Sequence, residues 1–311
     1  MNWVAVALTA YLLLAVANLL DKFVIDNVLK NSKAYAFAAC FLGAVVFLAS
    51  PWFLHWPGWI IFFFNILNGF IFALALWALY EALRRGEAAR ILVFIGGMTP
   101  IFLLIFSILF FKEHFTAGQW LGMFFILVGI ALIIFLPVKR SYLARIFHKF
   151  KLFQNVKSDG LGIALLSALA YSVYFLSTKQ AYAFQPFVSA FIWTRLGAAV
   201  FVLLFLIKRA DRRAITAFWH RSSPGKNKFL VIFNQFFGAV GFILQNYAVY
   251  LGSVVLVNAL QGAQYAFLLI ISAILAVSAP RLLKETFSVK ILAWKTAAVM
   301  AVAVGLYFIT F

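Results

Sequence analysis

The chain consists of long, uninterrupted runs of apolar residues that are separated by short polar connections. A helix needs about 20 predominantly apolar residues to cross a hydrocarbon core of ~30 Å. Of the 311 residues, 66% are hydrophobic and only 11% are charged, whereas about a quarter of a soluble domain is charged. Because the runs are continuous and do not alternate with polar residues, they also exclude a membrane β-barrel. The sequence therefore predicts an all-α integral membrane protein.

Hydrophobic windows predict ten transmembrane helices. They lie at about 3–23, 34–54, 58–80, 88–110, 117–138, 160–181, 186–207, 229–250, 253–277 and 290–310. The segment Ala15-Val16-Ala17 resembles a signal-peptide cleavage site, but no basic residue precedes the first run. We therefore expect the first span to be retained.

The formal net charge of +18 comes mostly from connections between spans. Lys and Arg gather after the first, third, fifth, seventh and ninth spans, with at most one in each other connection. The positive-inside rule makes the basic side cytoplasmic, so we expect a multi-pass protein of the plasma or bacterial inner membrane with both termini external. The basicity thus indicates orientation, and we expect no nucleic-acid partner. Residues 139–159 and 208–228 have the pattern of basic amphipathic helices on an anionic membrane surface.

Several segments of residues 1–138 recur in residues 160–311, which predicts two five-helix repeats joined by the 139–159 linker. The matching segments are 42–47 with 196–201, Asn65 and Gly69 with Asn234 and Gly238, and 112–116 with 284–288. Because each copy has an odd number of spans, the second copy is predicted to be inverted relative to the first. Inverted repeats are typical of alternating-access transporters, whose substrate site lies near the midplane between the copies.

The same segments resemble a known family. Residues 80–90, 98–102 and 112–116, with Gly122 and Gly129, resemble the second half of an EamA repeat of the drug/metabolite transporter superfamily. In the second copy, residues 171–179, 194–196 and 284–285 also resemble an EamA repeat, but less closely. The resemblance implies a ten-helix carrier, commonly an exporter of amino acids and other metabolites, with a central cavity lined by both repeats.

Arg195 is the leading candidate for substrate binding. It lies about nine residues into its span, or ~14 Å, which is near the bilayer centre. Its guanidinium suits a carboxylate or phosphate on a substrate. An equally weighted alternative is a structural arginine bonded to helix carbonyls.

Polar side chains at helical spacing form two further stripes in the later spans and a shorter one in the third. The predicted substrate-binding residues of these stripes are Asn234, Gln245, Asn258, Gln261, Tyr265, Asn65, Asn68 and Phe72. Trp77 and Tyr80 are predicted to pack on apolar parts of the substrate, and Thr99 lies where Gly96, Gly97 and Pro100 are expected to break the fourth span. Lys179 is also a predicted substrate-binding residue, although it lies near a span end, where a lysine that extends its ammonium group to the membrane surface is the simpler explanation. Hydrogen bonds between helices are the alternative for each amide.

None of the eight acidic residues falls in the middle of a predicted span. Asp21 is expected to serve as a helix-end or ion-pair residue with Lys22. A proton-coupled exporter of organic cations needs a carboxylate at membrane depth, so the sequence favours zwitterionic or anionic metabolites.

These patterns predict a secondary transporter that uses no ATP and carries out no catalysis. No Walker-type loop is present, and neither clustered carboxylates nor a His paired with an acid supports the alternative of a lipid-modifying membrane enzyme. We expect no cofactor and no metal, and Cys40 is the only cysteine. A lipid-head-group flippase is a second alternative. The substrate, coupling ion, direction of transport and oligomeric state stay open.

Overall fold

The computed structural model describes residues 3–29, 31–86, 88–134, 160–219, 225–278 and 289–310. Every regular element in these ranges is a helix, as the apolar runs predict. The predicted linker at 139–159 and the 284–288 segment of the second repeat lie outside them.

We number the α-helices in chain order. They are α1 (Trp3–Asn27), α2 (Ser32–Gly43), α3 (Ser50–Phe53), α4 (Trp59–Arg85), α5 (Ala88–Phe106), α6 (Ala117–Ile134), α7 (Leu161–Phe184), α8 (Phe187–Leu203), α9 (Arg209–Trp219), α10 (Gly225–Leu251), α11 (Val254–Ala259), α12 (Gln261–Ser278) and α13 (Val289–Thr310). A 3₁₀ segment, Ala44–Ala49, joins α2 to α3. Another, Leu204–Leu206, extends α8, and a π-helical turn, Ser107–Phe111, follows α5.

Six described helical segments are long and apolar enough to cross a membrane, which makes the chain a multi-pass membrane protein. They are Trp3–Asn27, Ser32–Phe53, Trp59–Arg85, Leu161–Phe184, Phe187–Leu206 and Asn227–Leu251. Four shorter apolar helices lie at Phe94–Phe110, Ala117–Gly129, Val254–Leu268 and Thr296–Gly305. The ten-span inverted repeat stays a prediction.

Helices of the N-terminal part, residues 3–134, pack directly on helices of the C-terminal part, residues 160–310. α1 runs along α10, α4 packs on α7 and α8, and α6 packs on α13. The α4–α8 contact is close because it is made at two glycines. A Cβ on Gly69 would lie 2.1 Å from the Thr194 carbonyl oxygen, and a Cβ on Gly197 would lie 2.3 Å from that of Ile66. Glycines thus let these backbones meet.

Side chains cap several helix ends. Thr116 and Gln119 exchange backbone-to-side-chain hydrogen bonds of 3.0 and 3.2 Å at the start of α6, the capping box expected from this spacing. At the other end of a helix, Lys22 Nζ donates to the carbonyls of Leu83 and Gly86 at the close of α4. This contact places the C-termini of α1 and α4 at the same end of the bundle, which we call the basic end.

Two local predictions are wrong. The fourth span does not break at 96–100, because α5 continues through Pro100 to Phe106. The interruption occurs instead in the predicted ninth span, at Leu260 between α11 and α12. Within the predicted 208–228 segment, Arg209–Trp219 forms an amphipathic helix, α9, but Ile215 and Phe218 are buried in the protein core and do not face a membrane surface.

Candidate functional site

A central cavity lies between the two parts of the chain, with about 530 Å³ of empty space including the part open to solvent. Its walls come from α1, α4 and α5 of the N-terminal part and from α7, α10 and α12 of the C-terminal part. The lining residues are Leu14, Asn18, Leu79, Leu92, Ile95, Thr99, Tyr171, Phe175, Phe242, Gln245, Gln261, Gln264 and Tyr265. None of these thirteen side chains carries a charge.

Two polar atoms of the cavity wall have no hydrogen-bond partner in the described structure. They are Thr99 Oγ1 on α5 and Gln264 Oε1 on α12, and both residues are almost fully buried. A buried polar group without a partner costs about 1–3 kcal/mol. Both residues line the cavity, but the two atoms themselves have almost no accessible surface, so they reach a bound polar molecule only after their side chains rotate.

The Tyr265 side chain fits into the cavity wall because a glycine of the N-terminal part, Gly96, leaves space for it. Its hydroxyl donates a 2.6 Å hydrogen bond to the Leu92 carbonyl of α5. The ring fits because residue 96 has no side chain: a Cβ on Gly96 would lie 1.6 Å from the Tyr265 hydroxyl oxygen. Pro100, one turn later, has no N–H to donate to the Gly96 carbonyl. Gly96 and Pro100 therefore shape this wall without breaking α5.

A small polar network stands where α11 bends into α12. Tyr11 donates a 2.7 Å hydrogen bond to the Val257 carbonyl. Gln245 Nε2 lies 3.4 Å from both Tyr11 Oη and Asn258 Oδ1, and Asn258 Nδ2 donates to the Val254 carbonyl. A backbone group inside a bilayer needs a protein partner, so Tyr11 stabilises the bend that presents Gln261 and Gln264 to the cavity.

Arg195 does not line the cavity but lies directly behind its wall. Its guanidinium carbon is 4.1 Å from the Phe72 ring centre and 4.6 Å from the ring centres of Phe191 and Phe242. These three distances are within the range of cation–π contact. The guanidinium Nε and Nη2 are buried without hydrogen-bond partners. Phe242 also lines the cavity, so its ring separates the cavity from two unused donors.

Four predicted residues, Thr99, Gln245, Gln261 and Tyr265, line the cavity. Of the other amides, Asn68 Nδ2 donates a 2.8 Å hydrogen bond to Thr178 of α7. Asn65, near the α4–α8 contact, is buried with both side-chain polar atoms unpartnered. Asn258 and Asn68 thus act in contacts between or within helices.

The remaining predicted residues lie outside the cavity wall. Lys179 Nζ donates to the carbonyls of Val249 and Gly252 at the end of α10. Trp77 Nε1 is buried without a partner. The Tyr80 ring lies 4.4 Å from the Tyr35 ring.

The expected ion pair between Asp21 and Lys22 is wrong. Lys22 pairs with Asp26 at 3.0 Å, whereas Asp21 is 6% exposed and accepts hydrogen bonds from Tyr35 and Asn234. The sequence places Asp21 near a span end, but α1 continues to Asn27, so the carboxylate lies about four residues deeper than the predicted boundary implies. Asp21 is thus a buried carboxylate near the end of α1 rather than in its middle, which weakens the sequence argument against cationic substrates.

Three polar cavity residues, Asn18, Tyr171 and Gln264, were not identified from the sequence. Gln264 lies three positions after Gln261, so helical spacing was a signal for it. Asn18 was available as the one amide in the middle of the first span. Tyr171 gave no signal, because aromatic residues are spread through every span.

Residues 1–135 match the EamA-like transporter family. A curated relative, the "Uncharacterized transporter YdfC" of Bacillus subtilis (strain 168), is 34% identical over 110 residues, which cover 34% of this chain and 30% of that protein. The chain therefore matches less than a third of the relative's own length. A solved structure described only as "Crystal structure of protein" has 17% sequence identity and a TM-score of 0.63, over 97% of this chain and 94% of its own. That likeness concerns the fold alone.

Proposed function

We propose that this chain, whose residues 1–135 match the EamA-like transporter family, is a secondary transporter that moves a small polar metabolite through the central cavity by alternating access. The family and the transporter-named relative support membrane transport. Substrate and mechanism belong to the proposal.

One observation carries this function. The cavity is walled by both parts of the chain, and each part contributes a lining residue that has a buried, unpartnered polar atom: Thr99 from the N-terminal part and Gln264 from the C-terminal part. Small-molecule sites are mostly apolar with a few placed polar groups, and the aromatic and amide lining has this composition. A rocking motion between the parts would expose these groups first to one side and then to the other.

The substrate class that fits best is a zwitterionic or anionic metabolite such as an amino acid. The amides of Gln245, Gln261 and Gln264 serve its neutral hydrogen-bonding groups. Arg195 supplies the charge once the Phe242 ring moves aside, because Nε and Nη2 then find the carboxylate that they lack in this state. A bidentate guanidinium–carboxylate pair is strong and directional.

Counterflow in proteoliposomes across a panel of labelled amino and organic acids tests the proposal. Arg195→Leu should raise KM for the exchanged compound by about tenfold or more, since a hydrogen bond to a charged group contributes about 1.5–3 kcal/mol. Gln264→Leu should also raise KM. Arg213→Leu, an exposed arginine on α9, is the matched control and should leave counterflow unchanged.

Unchanged counterflow in Arg195→Leu at normal expression would remove Arg195 from the site, and unchanged counterflow in Gln264→Leu would contradict the cavity as the route. Translocation of fluorescent lipid without exchange of any panel compound would favour a head-group flippase. Chemical turnover of lipid without translocation would favour a membrane enzyme.

A further inference from the structure

A buried carboxylate that does not line the cavity holds α1, α2 and α10 together. Asp21 Oδ1 accepts hydrogen bonds from the Tyr35 hydroxyl and, at 2.6 Å, from Asn234 Nδ2. Asn234 Nδ2 also donates to the Tyr35 oxygen at 2.8 Å. Tyr35 and Asn234 are at most 1% exposed. We call these three residues the carboxylate cluster.

The carboxylate cluster contains no positive charge. None of the ion pairs formed among the described residues includes Asp21. The neighbouring Lys22 is committed to Asp26 and to the carbonyls that end α4. An ionised carboxylate buried without a cation is costly, and the two hydrogen bonds offset only part of that cost, so binding a proton relieves the remainder.

The charged groups of the described parts of α2 and α4 are paired elsewhere, and Arg195 of α8, which packs on α2, lies against the rings of Phe72, Phe191 and Phe242. On α2, Lys33 pairs with Asp211 at 2.6 Å. On α4, Glu81 binds Arg84 and Arg85 and accepts from Ser32. The other groups that face the cluster are neutral: Tyr80 of α4, Tyr171 of α7 and Gln235 of α10. The cluster therefore has donors for the carboxylate but no counter-ion.

The cluster bridges the two parts of the chain. Asp21 and Tyr35 belong to the N-terminal part and Asn234 to the C-terminal part, at the long α1–α10 contact. Asp21 lies six residues before the end of α1, or about 9 Å from it at 1.5 Å per residue, on the side of the basic end. Protonation weakens the carboxylate as an acceptor, because hydrogen bonds to ionised acceptors are roughly twice as strong as neutral ones.

We propose that the Asp21 carboxylate is an exchangeable proton-binding site whose occupancy changes the strength of the α1–α10 contact and thereby couples proton movement to opening of the cavity at the basic end. The coupling rests on the proposed transport function, but the proton site does not. A bound proton weakens both acceptor bonds of Asp21, and the bond from Asn234 is the one that crosses to α10, so opening on that side is favoured. Loss of the proton restores both bonds and closes the contact.

Infrared difference spectroscopy on the protein in lipid tests the site without any substrate. The wild type should gain the carbonyl stretch of a protonated carboxylic acid on acidification. Asp21→Asn should lose that band, and Asp21→Glu should restore it at a shifted frequency. The matched control is Asp26→Asn, which lies on the same helix in an exposed ion pair with Lys22 and should keep the band.

A transport assay distinguishes failure of the Asp21 proton site from failure of the proposed transport function. For the panel compound that the wild type exchanges, Asp21→Asn should retain counterflow and lose accumulation driven by a pH gradient, while Asp26→Asn should retain both. A wild-type band that Asp21→Asn does not remove, or one that responds to Na⁺ at constant pH and not to protons, would overturn the proton site. A band assigned to Asp21 in a protein that exchanges no panel compound and no lipid would overturn the transport function alone.

Discussion

The cavity wall and the carboxylate cluster both contain buried polar side chains, but the two regions differ in whether those side chains have hydrogen-bond partners. In the cluster, Asp21, Tyr35 and Asn234 bond to one another across the α1–α10 contact. On the cavity wall, Thr99 Oγ1 and Gln264 Oε1 are buried and have no partner, although their residues line the cavity. Burial of polar groups therefore does not identify a binding site by itself. Buried polar atoms without a partner, on residues that line a cavity, are the better indication.

The largest effect is expected where the wall is tightest. Gly96→Ala places a Cβ against the Tyr265 hydroxyl and displaces the ring from its bond to Leu92. Overpacking together with the lost bond should lower the free energy of unfolding by about 3 kcal/mol. Gly238→Ala on α10 is the matched control, because its Cβ would meet only the Ala17 Cβ at 3.8 Å. Thermal unfolding in detergent that shows equal loss in both variants would contradict the packing.

The next effect concerns the carboxylate cluster. Asn234→Leu removes a hydrogen bond to Asp21 and another to Tyr35, and it should lower stability by about 2 kcal/mol. Because Asn234 does not line the cavity, the KM of counterflow should stay at the wild-type value. A raised KM with unchanged stability would assign Asn234 to the substrate site and break the distinction between the two regions.

A pair of hydroxyl deletions gives a smaller effect. The Ser172 hydroxyl lies 2.7 Å from the Ala168 carbonyl oxygen and 3.1 Å from that of Thr99, so its single proton is donated to one of them or shared, and Ser172→Ala should cost about 1 kcal/mol. Thr99→Val removes a hydroxyl that has no partner, so the free energy of unfolding of this variant should not fall. The rate of counterflow should nevertheless decrease. Loss of stability in Thr99→Val, measured by the same unfolding assay, would show that the hydroxyl has a structural partner.

The smallest effect is expected at Lys179. Its ammonium group caps the carbonyls at the end of α10, and a cation at a helix C-terminus contributes about 0.3–1 kcal/mol. Lys179→Met should lower stability within that range and leave counterflow unchanged. Lys208→Met, at an exposed position, is the control for loss of a positive charge. A large loss of counterflow in Lys179→Met alone would place Lys179 in the substrate route.

Sequence periodicity predicted where helices form, because each apolar run long enough to cross a bilayer must satisfy its backbone internally. It did not predict where a helix bends. Pro100 predicted a break in α5, yet α5 is continuous. The bend at Leu260 is stabilised by Tyr11, which donates to a carbonyl 246 positions away in the sequence. Long-range partners of this kind leave no local signal.

The candidate site shows the same limit. Thr99, Gln245, Gln261 and Tyr265 could be chosen by polarity and helical spacing, and they line the cavity. Asn234 belongs to the same stripe as Gln245, but its side chain bonds to Asp21. Which turn of a stripe faces a cavity and which faces a neighbouring helix depends on packing that only the folded chain defines.

Thiol accessibility tests most directly whether the cavity is the substrate route. The only cysteine, Cys40, is fully buried and provides an internal reference. In a Cys40→Ala background, Thr99→Cys should react with a membrane-impermeant maleimide added from at least one side of the membrane, and an exchanged panel compound should protect it. If the thiol introduced by Thr99→Cys is as unreactive from both sides as Cys40 in the wild type, the cavity is not the route.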